Sequence, residues 1–423
     1  MKRLLIIPAV IAIAILAFAN FSQSQVKSYY SGDAVNFNNQ LYVASTNSGS
    51  LEVFRLENNN LKRLSSLKPF DPRFGRYGEF YDVKLAPEEG SLFVYAISGF
   101  TFYKYELVGD RLALIDSQQN TYWEWYNRVD KFNGQVVTIS EKGLKFWNTD
   151  IMDVVDSLPV ANAATPYNIR SYNSSYILDV SNDKLKVYNQ ENKTFESTIA
   201  LNYKSSPGNR QTYQDEDLNI YVVDDYYAKK FDLSGRLLSS FRHLDYPGYD
   251  LTASGHTDYV YFSNGLGVVK LKKDDMNLVS YRTTTGLGGP RGWAMGLKVA
   301  YVGGDKLVIF NNGNILVLDD KLVKLASFEA SAQADPVATE NLYLNLDHNF
   351  GGQGASINLN GGGFLPQEAL TIDFANSKTQ IVADGRGRFS QNLTVPTLEP
   401  SRVDIKVTGA ESGLHYSIAF DIK

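Results

Sequence analysis

Short runs in which apolar and polar residues alternate recur along this chain at intervals of about 40 to 50 residues. Seven lead the series: QLYVAS from Gln40, SLFVYAI from Ser91, QVVTIS from Gln135, SYILDV from Ser175, NIYVVD from Asn219, DYVYFS from Asp258 and KLVIFN from Lys306. A polar turn and a second run follow each: LEVFRL, TFYKYEL, GLKFWN, KLKVYN, AKKFDL, VVKL and NILVLDD, starting at Leu51, Thr101, Gly143, Lys184, Ala228, Val268 and Asn314. Alternation with period two places every second side chain on one face of a strand, and polar turns between runs join antiparallel neighbours. Further hairpins such as YELVGDRLALI and LKKDDMNLVSY extend the units to four strands. One small sheet cannot bury both of its faces, but sheets packed radially around an axis can. The pattern therefore predicts an all-β fold, a seven-bladed β-propeller over residues 28–330.

The fifth unit is the most regular. Its Asn219-Ile220-Tyr221-Val222-Val223-Asp224 strand and Phe231-Asp232-Leu233-Ser234-Gly235 hairpin resemble the repeats of NHL-type propellers. That resemblance implies a propeller with a tendency toward binding roles and carries over no site. The Trp-Asp dipeptide of another propeller class is absent.

After Phe328 the pattern breaks. Residues 331–339 are small, polar and contain Pro336, which reads as a linker. Seven alternating runs then fill residues 340–423, a count that fits a C-terminal β-sandwich. Gly361, Gly363, Phe364, Pro366, Glu368 and Ile372, followed by Asp384, Gly387 and Phe389, resemble the strand-turn and hairpin motifs of bacterial and archaeal Ig-like surface domains. The resemblance implies a spacer or adhesion module.

Residues 1–25 have the parts of an export signal: Lys2 and Arg3, an apolar stretch over residues 4–18, and Ala17-Phe18-Ala19 as a small-x-small site. The stretch is also close to the length that spans a bilayer, so a retained signal anchor is the alternative. Either way the body is expected to be secreted, periplasmic or at the cell surface, with the membrane touched only through that segment. The chain has no cysteine, so no disulfide supports it. A net charge of −5 gives no footprint for nucleic acid.

Catalytic chemistry finds little footing. The four histidines (His243, His256, His348 and His415) are far apart in sequence, no metal-ligand spacing stands out, and no phosphate-cradling loop or nucleophile elbow is present; no cofactor is expected. Asp215-x-Asp217-x-Asn219 alternates oxygen side chains as a calcium loop does, but Ile220 and Tyr226 stand where that loop needs Gly and an acid, so a turn is the expectation. The segments between units carry the sharper signal, because they lead into the innermost strand of the next sheet and pair Arg with aromatics. Arg76, Tyr77, Trp123, Trp125, Arg128, Arg170, Arg210, Tyr249, Arg291 and Trp293 are the candidate ligand-binding residues. Aromatic faces stack on sugar rings, and guanidinium forks grip carboxylates. The competing reading makes these side chains wedges between sheets. The expected function is therefore non-enzymatic binding or adhesion, to a glycan or a surface protein. A polysaccharide lyase or hydrolase and a structural surface-layer component are the alternatives.

Overall fold

The computed structural model describes residues 29–47, 49–71, 76–77, 79–119, 125–132, 135–140, 142–159, 176–181, 184–189, 194–200, 211–215, 217–223, 226–243, 248–253, 257–264, 267–283, 285–287, 298–302, 305–311, 313–329, 343–364, 367–385, 387–410 and 415–423. Residues 1–25, expected to be an export signal, residues 331–339, expected to be a linker, and Trp123, Arg170, Arg210, Arg291 and Trp293 lie outside these residues. No described helix is long and apolar enough to cross a membrane.

The protein is all-β, built on repeated four-stranded antiparallel sheets. Among the described residues, seven meanders follow one another in chain order. The first comprises Tyr29–Phe37, Gln40–Asn47, Ser50–Glu57 and Asn60–Leu67, and five others also show four strands; the fourth shows three among the described residues. The alternating runs become the second and third strands of the six four-stranded sheets, and the first two described strands of the fourth, starting within a residue of where the sequence places them. First strands touch first strands. Tyr29–Phe37 meets both Asp82–Glu88 of the second sheet and Lys298–Val302 of the seventh, and Gly248–Ala253 of the sixth meets Lys298–Val302 as well.

Alternation explains the core. Val53 faces the second sheet and joins a cluster with Val83, Val94 and Tyr105, whereas its neighbour Phe54 faces the seventh and packs with Val308, Phe310 and Val317. Similar layers fill the gaps between sheets two and three, five and six, and six and seven. Both faces of the first, second, sixth and seventh sheets are thus removed from water, and that apolar area is the main force holding those sheets together.

Two polar devices recur on this apolar base. A cation on a third strand reaches the turn between the third and fourth strands of the next sheet. Lys104 Nζ donates to the Thr149 carbonyl at 2.8 Å, Lys230 Nζ to the Lys273 carbonyl at 2.9 Å, and Lys270 Nζ to the Asp320 carbonyl at 2.7 Å. In the first sheet Arg55 spans the same kind of gap to Asp110 at 3.0 Å. All but the last of these cations are almost fully buried, so the carbonyl and the facing aromatic rings replace their hydration. The equivalent position in the seventh sheet, facing the first, is Val317.

The second device is a backbone link. The residue opening a first strand, or just before it, donates its N–H to the turn between the second and third strands of the preceding sheet. These bonds are Phe80 to the Gly49 carbonyl (2.8 Å), Tyr126 to Gly99 (2.7 Å) and Tyr29 to Asn311 (3.2 Å). The third of them joins the first sheet to the seventh. At that junction Phe54 lies 4.7 Å from Phe328, and a Cβ on Gly32 would overlap the Phe310 ring.

Residues 343–423 form a three-stranded sheet (Tyr343–Leu346, Ser356–Gly362, Phe389–Thr394) and a five-stranded one that includes Ala369–Phe374, Ser401–Gly409 and His415–Ile422. They do not stand apart from the rest. The strand His415–Ile422 contacts the outer strand of the second sheet, Arg111–Gln119, whose Leu112, Ala113 and Leu114 are buried in one continuous cluster with Leu344, Phe364 and Phe389. Arg111 Nη2 donates to the Gly363 carbonyl at 3.5 Å, near the buried Glu368 whose charge it feels.

Candidate functional site

In an antiparallel meander, the start of the first strand and the turn between strands two and three lie at the same end. Three aromatic residues meet at that end between the second and third sheets. Tyr81 immediately precedes Asp82–Glu88, Trp125 precedes Tyr126–Phe132, and Phe100 occupies the turn between Ser91–Ser98 and Thr101–Val108. The Trp125 ring lies 5.2 Å from Tyr81, tilted by 57°, and 5.0 Å from Phe100, edge-on at 75°. It remains 37% exposed. Gly99 makes the approach possible: its φ is +42°, its carbonyl accepts the Tyr126 N–H, and a Cβ there would sit 3.2 Å from the Trp125 ring. Burial, and then the charge of Glu79, raise the pKa of the Tyr81 phenol, so it stays a neutral hydrogen-bonding group.

One-residue alternation separates this platform from the wedges beside it. Tyr126, next to Trp125, turns inward to 1% exposure and meets Trp147 edge-on. Tyr29 and Phe80, the residues that make the same backbone link, are likewise buried. Tyr213, 6.3 Å from Tyr221, is also a packing residue. Tyr126 and Tyr213 thus pack inside the core, although neither was among the ligand-binding candidates from sequence, while the candidate Trp125 is a surface group. Arg128 is half-buried on the strand after Trp125, beyond a register shift between Tyr126 and Arg128. Arg76 and Tyr77 form one side of a two-residue ladder with Phe70–Asp71, in the segment between sheets one and two. Tyr249 lies in the first strand of the sixth sheet. Tyr81 and Phe100 were not among the candidates from sequence. The available signals were an aromatic two residues after Glu79 at the start of a first strand, and a Gly-Phe turn.

Charges line the first strands. Lys84 sits 3.5 Å from Asp33 and 3.3 Å from Asp130, bridging three consecutive sheets. Asp33, Asp82 and Asp250 each accept a backbone N–H from the next sheet, those of Leu85, Val129 and Val299, at 2.8–3.0 Å. These acids are structural acceptors. The Asp215 motif is a turn: Asp215 Oδ1 accepts the Asn219 N–H at 2.8 Å, and Oδ2 accepts the Tyr221 hydroxyl at 2.9 Å. Asp217 points into solvent. Among the described residues no group of three or more His, Asp or Glu is placed to hold a metal ion.

No protein-family model and no curated protein matches this chain. Solved structures do resemble it in fold. The C-terminal WD40 domain of Sif2 superposes with a TM-score of 0.51 at 9% identity, covering 68% of this chain and 93% of that one. Raptor from Chaetomium thermophilum superposes with a TM-score of 0.54 at 12% identity, covering 73% of this chain and 28% of that one. The chain thus spans under a third of Raptor. At such identities the likeness establishes the β-propeller fold and nothing about activity.

Proposed function

We propose that this chain is an exported, non-enzymatic binding protein, a closed seven-bladed propeller of NHL-like repeats carrying an Ig-like C-terminal sandwich. Its ligand is a glycan or a surface protein. A ring of seven is supported by the contacts of Tyr29–Phe37 with both the second and the seventh sheets, and by the repetition at that junction of the backbone link made elsewhere. Two C-terminal sheets of three and five strands support the sandwich reading. Export rests on the charged and apolar pattern of residues 1–25.

The observation that carries the binding function is the Trp125 ring, braced by Tyr81 and Phe100 yet over a third exposed. A large aromatic held rigidly at a surface loses little entropy on binding and offers a flat apolar face to a sugar ring or an apolar side chain. The test is a glycan and protein array probed with the purified body, with product release assayed alongside. Trp125→Ala should weaken the strongest hit several-fold, about 1 kcal/mol or more, without lowering the melting temperature. Unchanged binding would remove the platform from the function, and release of shortened saccharide would turn the reading to the polysaccharide-active enzyme.

A further inference from the structure

The outer strand of the sixth sheet, Leu278–Thr283, pairs only with Gly267–Lys272, and among the described residues no strand lies along its far edge. Leu278, Val279 and Tyr281 on this strand are 53%, 45% and 38% exposed. The corresponding strand of the second sheet shows what such a position takes in this fold: there Leu112, Ala113 and Leu114 are buried beneath the C-terminal sheets. In the sixth sheet that role is unfilled by any described residue.

Beside the strand lies a groove of about 670 Å³ shared with the seventh sheet. Leu287 and Leu322, both buried in the core cluster, form its floor, and Tyr281, Arg282 and Lys324 line it. Arg282 and Lys324 meet no acid among the described residues. The nearby acids are engaged elsewhere. Asp319 Oδ1 accepts the N–H groups of Lys321 and Val323 at 2.9 and 2.7 Å, and Asp320 Oδ2 lies 3.8 Å from Lys270. The groove therefore presents two positive charges next to an apolar strand edge.

We propose that this edge and groove dock an extended acidic segment of a partner protein as an added fifth strand. The strand edge offers donors and acceptors at a spacing that a peptide backbone matches and a sugar chain does not. Side chains from both faces of such a segment lie against Leu278, Val279 and Tyr281, and its carboxylates meet Arg282 and Lys324, where the charges are complementary.

The test is fluorescence anisotropy on the full chain, with a labelled ten-residue peptide alternating Glu and Val, its Lys–Val counterpart, and polygalacturonate as competitor. The acidic peptide should bind more tightly than the basic one, and the double variant Arg282→Glu with Lys324→Glu should weaken it at least tenfold. A double Arg282→Gln, Lys324→Gln variant, with an unchanged melting temperature, should show a smaller loss in the same direction. Equal binding of the two peptides, or insensitivity to both double variants, overturns the proposal. So does displacement of the labelled acidic peptide by polygalacturonate at a lower concentration of carboxylates than unlabelled acidic peptide requires.

Discussion

Lys270 offers the sharpest test of what joins neighbouring sheets. Its ammonium is nearly buried, donates to the Asp320 carbonyl at 2.7 Å, lies 3.8 Å from the Asp320 carboxylate, and sits 3.9 Å over Tyr259 and 5.6 Å from Tyr261. A charge-assisted hydrogen bond contributes about 1.5–3 kcal/mol and a desolvated cation–π contact about 0.5–2. Against them stands the cost of taking an ammonium out of water, several kcal/mol even after relaxation. Lys270→Met keeps most of the apolar stem and removes both sides of that balance, so it should destabilise by only about 1–2 kcal/mol. Lys270→Ala also strips three methylenes from the gap between sheets six and seven, about 0.8 kcal/mol each before any cavity cost, and should destabilise by about 3–4 kcal/mol. Equilibrium urea unfolding followed by tryptophan fluorescence, with the slope unchanged between variants, measures both differences. If Met costs as much as Ala, the charge and not the stem carries the latch. If neither costs more than about 0.5 kcal/mol, the bridge between the sheets contributes nothing and the argument fails.

Other expectations follow from the same geometry. Gly32→Ala should lower the melting temperature sharply, since its Cβ would overlap Phe310 where the first and seventh sheets meet; a tolerated Ala would show that junction to be loose. Met276 is buried with φ at +60°, so Met276→Gly should be more stable than Met276→Ala by about 1 kcal/mol, and the reverse order would refute backbone strain at that turn. Burial, aided by Asp404, raises the Asp116 pKa above its unfolded value. Its ionised form thus opposes folding above the folded pKa, and the penalty disappears as pH falls to the unfolded value. Asp116→Asn should accordingly stabilise the protein at neutral pH and lose that advantage in acid, which urea titrations at two pH values would check. Proteolytic cleavage within residues 331–339 should leave two pieces that co-elute on size exclusion, because Leu112 and Leu114 share a core with Phe364; separate elution would deny that interface.

Local pattern was enough to locate the strands. Alternation in runs such as DYVYFS and NILVLDD is a property of adjacent residues, so it survives without knowledge of the fold, and the repetition of such runs pointed correctly to a propeller of four-stranded sheets. Which aromatics serve as wedges was not legible. Trp125 and Tyr126 are neighbours of like composition, and only the bond from Tyr126 N–H to Gly99 of another sheet decides which ring turns inward. The latches were equally hidden, because nothing next to Lys104, Lys230 and Lys270 in the sequence marks them, and the carbonyl that each meets within 3 Å belongs to the next sheet. Nor could a linker motif disclose that the C-terminal sheets rest on the second sheet, since Leu112 and Phe364 are about 250 residues apart and meet only in the folded chain. Period and turn chemistry are short-range and are written in the sequence, whereas the side of a sheet that meets its neighbour, the partner of a buried charge and the surface left open depend on long-range contacts. Those the tertiary structure alone decided.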